Sequence, residues 1–146
     1  MSSAIRVLFL CTGNSCRSQM AEGLLRSRGG GRFEASSAGT SPKTVHSLAL
    51  RAMAELGIDV SSQVSESVDR YIDANFDWVI TVCDNAKQSC PTFSGAARRL
   101  HWSFDDPAEA AGLEERRMEV FRGIRDEIDE RIREFVAEPS NQKGKG

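Results

Sequence analysis

The chain has 146 residues, of which 40% are apolar and 27% charged, with a net charge of -2; this suits one globular domain able to bury a core and argues against nucleic acid as a general partner, which would want a basic face. No stretch approaches the roughly 18 apolar residues of a membrane span, and Met1 to Leu10 lacks the charged start and small-residue cleavage pattern of a signal peptide. A cytoplasmic protein without membrane contact is expected, and in such a chain four cysteines point to catalytic, redox or metal chemistry before structural disulfides.

Ile5 to Leu10 is a short apolar run bounded by polar residues, the pattern of a central parallel strand covered on both faces. A first helix follows from about Ser18 to Ser27, with Met20, Leu24 and Leu25 on one face and Gly29-Gly30-Gly31 ending it. Arg32 to Ser37 returns as a second strand. Leu48, Ala49, Ala52, Met53 and Leu56 fall at helical spacing, with Ser47 as N-cap and Gly57 as stop. Asp59 to Ser67 reads as a loop, Val68 to Ile72 as a short helix, and the β-branched and aromatic run Phe76 to Val82 as a third strand ending at Cys83. Asp84 to Gly95 is a loop or a marginal helix of low local stability. Arg98 to Trp102 makes a fourth strand. Leu113, Arg117, Val120, Phe121, Ile124, Ile128, Ile132 and Phe135 trace a long amphipathic helix that Pro139 stops. The domain is expected over residues 1–139, and the apolar-free tail 140–146 is expected to be disordered. Strands alternating with helices indicate a single-domain α/β fold with an open parallel four-stranded sheet flanked by helices. Ligands of such folds bind outside the carboxyl ends of the strands, where Cys11, Cys83 and the Asp105-Asp106-Pro107 loop all fall.

Between the first strand and the first helix lies Cys11-Thr12-Gly13-Asn14-Ser15-Cys16-Arg17-Ser18. A strand, a tight loop and a helix start let successive N–H groups converge on one spot, so the loop is suited to a tetrahedral oxyanion. Arg17 would close the ring with a planar fork of donors, and Cys11 beneath the anion would be favoured as thiolate and serve as nucleophile. A bare C-x5-R occurs by chance in many chains; the flanking strand and helix supply the context. Asn14 would brace the loop, and Ser18 would either donate to the thiolate or cap the helix. Cys16 reads as a small buried hydrophobe. Asp106, held extended by Pro107, is the candidate general acid or base, or else Asp105 or Asp106 caps the terminal helix. With only His46 and His101 as histidines and no C-x-x-C, zinc is poorly supported; Cys83 and Cys90 are either two buried thiols or a dithiol couple.

In Cys11 to Glu22, Ser37-Ala38-Gly39, Gly57 to Ser61, Val82-Cys83 with Cys90-Pro91, and His101-Trp102 leading to Asp105-Asp106-Pro107-Ala108, the chain resembles the thioredoxin-coupled arsenate reductases, built on the low-molecular-weight protein tyrosine phosphatase fold. The resemblance covers all but the tail. It implies that Cys11 attacks arsenate, that Asp106 protonates a departing oxygen, that Cys83 then attacks Cys11 and releases arsenite, and that Cys90 leaves a Cys83–Cys90 disulfide for thioredoxin to reduce. Phosphate and sulfate would compete as oxyanions, the protein would act as a monomer, and no cofactor would be tightly held. Some relatives bind potassium beside the loop, and the matching positions are Asn14, Glu22, Ser37 and Glu66, the last often Asp. The family also often has Pro where this chain has Ser47, at a cost in rigidity alone. The alternatives are a low-molecular-weight tyrosine phosphatase using Cys11, Arg17 and Asp106, with weak phosphatase activity conceivable even in a reductase, and a non-catalytic oxyanion or redox sensor. Ala108-Glu109-Ala110 follows Pro107 where such phosphatases usually carry aromatic residues.

Overall fold

The structure is a computed structural model that describes residues 4–84, 86 and 97–138. The order of elements is β1 (Ile5–Cys11), α1 (Arg17–Gly29), β2 (Phe33–Gly39), α2 (Ser47–Ala54), β3 (Trp78–Thr81), β4 (Arg98–His101) and α3 (Glu114–Ala137). All strands run parallel in the order β2-β1-β3-β4, a four-stranded α/β sheet in one domain. β1 is central because Val7, Leu8, Phe9 and Leu10 are all inaccessible to solvent, and alternating side chains buried on both faces demand cover on both. The register sets Leu10 beside Thr81 and Cys11 beside Gly39, so the chain past β3 emerges next to Cys11.

One face of the sheet carries an aromatic cluster: the ring of Phe135 from α3 meets Phe33, Trp78 and Trp102 at centroid distances of 5.7, 5.4 and 6.0 Å. Rings offset or edge-on at these separations add to the area they bury, and they lock α3 across three strands. The inward face of α3 is Met118, Phe121, Ile124, Ile128, Ile132 and Phe135; Leu113 and Val120 point to solvent, against the expected stripe, because Met118 takes the inward position at that turn. Arg125 is buried there as well, donating to the Ala52 carbonyl at 2.8 Å and to Glu55 at 2.9 Å, which ties α3 to the end of α2.

α1 departs most from its expected form. Every residue from Ser18 to Leu25 is buried, so the first turns are covered all round and polar Gln19 and Glu22 are carried inside. Gly23 permits this: a Cβ there would lie 2.5 Å from Val60 Cγ1, so the segment after α2 packs directly on the helix backbone. The cap of α2 is His46, whose Nδ1 accepts from the Leu48 amide at 3.1 Å, and not Ser47; Gly57 does end the region with a φ of 74°. β3 is shorter than its apolar run, and Phe76-Asp77 at its start instead meets Arg6, whose amide donates to Asp77 Oδ2 at 2.8 Å. The expectations for Cys90, Pro139 and the tail fall outside the described residues. Among the described residues no helix is long and apolar enough to cross a membrane.

Candidate active site

Cys11 is the last residue of β1 and Arg17 the first of α1, with the loop 12–16 between them. The segment after β2 runs under this loop and holds its carbonyls: the amides of Thr40, Ser41, Lys43 and His46 donate to the carbonyls of Cys11, Thr12, Gly13 and Ser15 at 2.7 to 3.2 Å. The Asn14 carbonyl is held by Gln19 Nε2 at 3.0 Å and Ser65 Oγ at 2.8 Å. In a planar trans peptide the N–H points opposite to the C=O, so five carbonyls tied outward leave the following amides directed into the loop. That is the donor arrangement an oxyanion requires. Gly39 lets the supporting strand come this close, since a Cβ there would meet the Thr12 carbonyl at 2.5 Å. A glycine at a strand end is the one sequence signal for that approach.

Asn14 is the pivot. It is fully buried and sits at a φ of 49°, a left-handed conformation that costs about 1 kcal/mol or more in a residue other than glycine. Its Nδ2 donates to Ser18 Oγ at 2.8 Å and Ser37 Oγ at 2.9 Å, and its Oδ1 accepts from the Glu66 amide at 2.9 Å. Ser18 therefore braces the loop; the N-cap position belongs to Cys16, whose side chain makes no capping bond. Burial pushes the Cys16 thiol up to about 11, and it stays an inert core group.

Arg17 is anchored and incomplete at once. Nη1 donates to the Phe104 carbonyl at 2.9 Å and Nη2 lies 3.7 Å from Asp106 Oδ2, while Nε is buried with no partner. An orphaned buried guanidinium N–H is costly, and here it belongs to the residue that follows the donor loop. Asp106 is extended, as the following proline requires, and its Oδ1 accepts from the Ala108 amide at 3.0 Å, capping the short 3-10 turn Pro107–Glu109 and not α3. Its second oxygen is the one turned to Arg17.

Cys83 lies two residues past β3, in hydrogen-bonding contact with Cys11; its Sγ also lies 3.3 Å from Thr12 Oγ1 and accepts from the Ala86 amide at 3.4 Å. Both thiols are reduced and buried. The S–H of Cys11 donated to Cys83, together with Thr12, Ala86 and Arg17, draws Cys83 down to about 5, whereas the same bond and burial push Cys11 well above the thiol range against the pull of Arg17. In the ligand-free pair the shared hydrogen bond thus lowers Cys83 and raises Cys11, a coupling that the Cys11 loop alone does not reveal. The cause is the neighbouring thiol, invisible until β1 and β3 are aligned. His101 fixes the chain just beyond, its ring nitrogens meeting Thr81 Oγ1 at 2.7 Å and Asp84 Oδ1 at 2.8 Å. The contacts of Thr12, Gln19, Ser65 and His101 carry no sequence signal of their own. Cys90 lies outside the described residues.

The four positions matched to a potassium site do come together, but they do not fit a further cation. Glu22 Oε1 accepts from Ser37 Oγ at 2.6 Å, Oε2 already pairs with Arg26 at 2.5 Å, and the Glu66 carboxylate turns to Arg70 at 3.4 Å. The oxygens satisfy one another, and a guanidinium beside the carboxylate would repel an added positive charge.

Residues 6–145 match the model of the low molecular weight phosphotyrosine protein phosphatase family. The chain is 46% identical over 130 residues to a protein of Halalkalibacterium halodurans named arsenate reductase, covering 89% of this chain and 94% of that one. A solved structure described as an arsenate reductase in the phosphate binding state superposes with a TM-score of 0.81 at 33% identity, covering 93% of this chain and 99% of the other. The thioredoxin-dependent arsenate reductase of Corynebacterium glutamicum superposes with a TM-score of 0.69 at 32% identity, over 93% of this chain and 62% of that one.

Proposed function

Because this chain belongs to the low molecular weight phosphotyrosine protein phosphatase family, and within it lies beside arsenate reductases over most of its length, we propose that it reduces arsenate to arsenite through Cys11, Cys83 and Cys90 and is regenerated by thioredoxin. The observation that carries this reading is the second thiol. A phosphatase needs Cys11, Arg17 and Asp106; it has no use for a buried free Cys83 in hydrogen-bonding contact with the nucleophile.

Arsenate would settle against the loop amides and the free Nε of Arg17. Sγ of Cys11 attacks arsenic and an As–S bond forms; hydroxide departs as water on a proton from Asp106, which the Cys11 proton replaces. The Cys83 thiolate then attacks Sγ of Cys11. The S–S bond forms, the As–S electron pair falls to arsenic, and arsenite leaves, so As(V) gains the two electrons that two thiols give up. Attack by Cys90 on Cys83 frees Cys11 and leaves a Cys83–Cys90 disulfide for the dithiol of thioredoxin, whose class of partner the Corynebacterium glutamicum neighbour names. Such a couple is kept reduced in the cytoplasm, where the protein would act.

A single-turnover assay of arsenite release with peptide mapping of the thiols tests the relay. Cys90→Ser should yield about one arsenite per enzyme and stop as a Cys11–Cys83 disulfide, whereas Cys83→Ser should yield none. Any slow hydrolysis of an aryl phosphate should survive both. Steady multiple turnover by Cys90→Ser with thioredoxin as the only reductant would refute the relay.

A further inference from the structure

We propose that Arg26 is the resident counter-ion of the oxyanion loop, standing where an alkali cation would otherwise sit, and that its removal opens a cation site. The guanidinium closes two separate routes to Asn14. On the first, Nη2 pairs with Glu22 Oε2 at 2.5 Å, Glu22 Oε1 accepts from Ser37 Oγ at 2.6 Å, and Ser37 Oγ accepts from Asn14 Nδ2 at 2.9 Å. On the second, Nη1 donates to Gln63 Oε1 at 3.3 Å, Gln63 Nε2 donates to the Gln19 carbonyl and Oε1 at 3.0 and 2.7 Å, and Gln19 Nε2 donates to the Asn14 carbonyl at 3.0 Å. Nη2 further donates to the Ala35 carbonyl of β2 at 3.0 Å, so the same head group ties α1 to the sheet.

The charge count explains why something positive must be there. Glu22 is 8% exposed, and a buried carboxylate without a partner is strongly disfavoured. Its neighbours Ser37 and Asn14 supply dipoles but no charge, and the Glu66 carboxylate is paired with Arg70. Arg26 lies four residues after Glu22 on α1, the favourable order for an i, i+4 pair, and although its side chain is about half exposed its guanidinium contacts Glu22, Ala35 and Gln63. The cleft beside it, of about 220 Å³, presents the oxygens of Glu22, Ser37, Gln63 and Glu66, and with the guanidinium gone no cationic group remains among its lining residues. Carboxylate, carbonyl and hydroxyl oxygens suit hard cations. The loop of this chain is thus braced by a covalent cation and needs no dissociable one.

This inference does not rest on the reductase reading, and its test reads no activity. Thermal unfolding of the full chain would be followed while potassium, sodium or choline chloride is titrated at matched ionic strength. The wild type should show the same small response to all three salts. Arg26→Ala should melt lower by about 3–5 °C and recover at least half of that loss in potassium or sodium chloride but not in choline chloride, along a saturating curve. Arg26→Lys should fall between the two, because an ammonium keeps the charge without the fork, and should respond weakly to either metal. A saturable response of the wild type to potassium or sodium would overturn the proposal, and that measurement needs no variant to fold. Equal recovery of Arg26→Ala in choline, or no recovery in any salt, would also overturn it, since a merely structural arginine leaves no ion-selective gap.

Discussion

Cys11 and Cys83 stand at the ends of adjacent parallel strands, yet the chain treats them in opposite ways. After Cys11 the backbone is pinned at five successive carbonyls, so the amides face into the loop, where that of Thr12 already reaches the Cys11 thiol and where a guest anion would meet them. After Cys83 the amide of Ala86 turns back onto the sulfur, which also meets Thr12 and Cys11. One strand end is built for an anion that arrives from outside, the other for an anion carried by the protein. That division of labour places one thiol beneath the oxyanion site and a second in contact with it, an arrangement that suits two successive attacks better than one.

Arg17 is the group common to both ends, since it favours the charged form of each thiol. Arg17→Lys should therefore damage the comparison most, lowering kcat/KM for arsenate by about 10²–10³-fold, because a point charge replaces neither the Nε–H nor the bond to the Phe104 carbonyl. Steady-state kinetics within a fewfold of wild type would show that the anion is held elsewhere. Asn14→Ala should act on the pinned end alone. It removes three side-chain hydrogen bonds and leaves a β-carbon residue in a left-handed conformation, so urea unfolding should report a loss of about 2–4 kcal/mol, with the ultraviolet titration of Cys83 unmoved. A shift in both would mean that the two ends are not independent.

The sheet was legible because β1 and β3 are apolar runs of ordinary length, and the loop because its strand and helix neighbours give Cys11 and Arg17 a direction. What stayed hidden lies in contacts between distant segments. Gln19 and Glu22 read as the polar side of an amphipathic helix, and only the packing of Val60 on Gly23 shows that α1 has no polar side there. Nothing in the sequence marks the contact of Arg26 with the Ala35 carbonyl. Asp106 admitted two readings, acid or cap of the terminal helix; one of its oxygens caps a 3-10 turn instead of that helix, and the other faces Arg17. The coupling of the thiols lay deepest, since loop dipoles and an arginine argue for a Cys11 thiolate and the hydrogen bond to a cysteine 72 positions away opposes them.

The smallest expected effect is also the most specific. Thr12 belongs to the pinned loop, yet its hydroxyl lies 3.3 Å from Cys83 Sγ, so Thr12→Val separates the two ends without touching a cysteine or the arginine. Valine keeps the β-branched shape and removes one hydrogen bond to a thiolate, worth about 1–1.5 kcal/mol, which should raise Cys83 from about 5 by roughly one unit. The sign of the kinetic change then depends on pH. Cys83 reacts as thiolate, so the second attack gains rate as pH rises through its pKa, and the acid limb of single-turnover arsenite release should move upward with it. A more basic thiolate is also the better nucleophile, by about threefold per unit, so Thr12→Val should be slower on the acid limb and up to about threefold faster on the alkaline plateau, where both proteins are fully ionised. The two profiles should cross, and above the ligand-free value of about 5, because Cys11 no longer donates its S–H to Cys83 once it carries arsenic. Parallel profiles displaced by a constant factor would show that Thr12 only positions the sulfur, and an unchanged limb in both rate and ultraviolet thiolate absorbance would show that the low pKa of Cys83 comes from Cys11 and Ala86 without help from the loop.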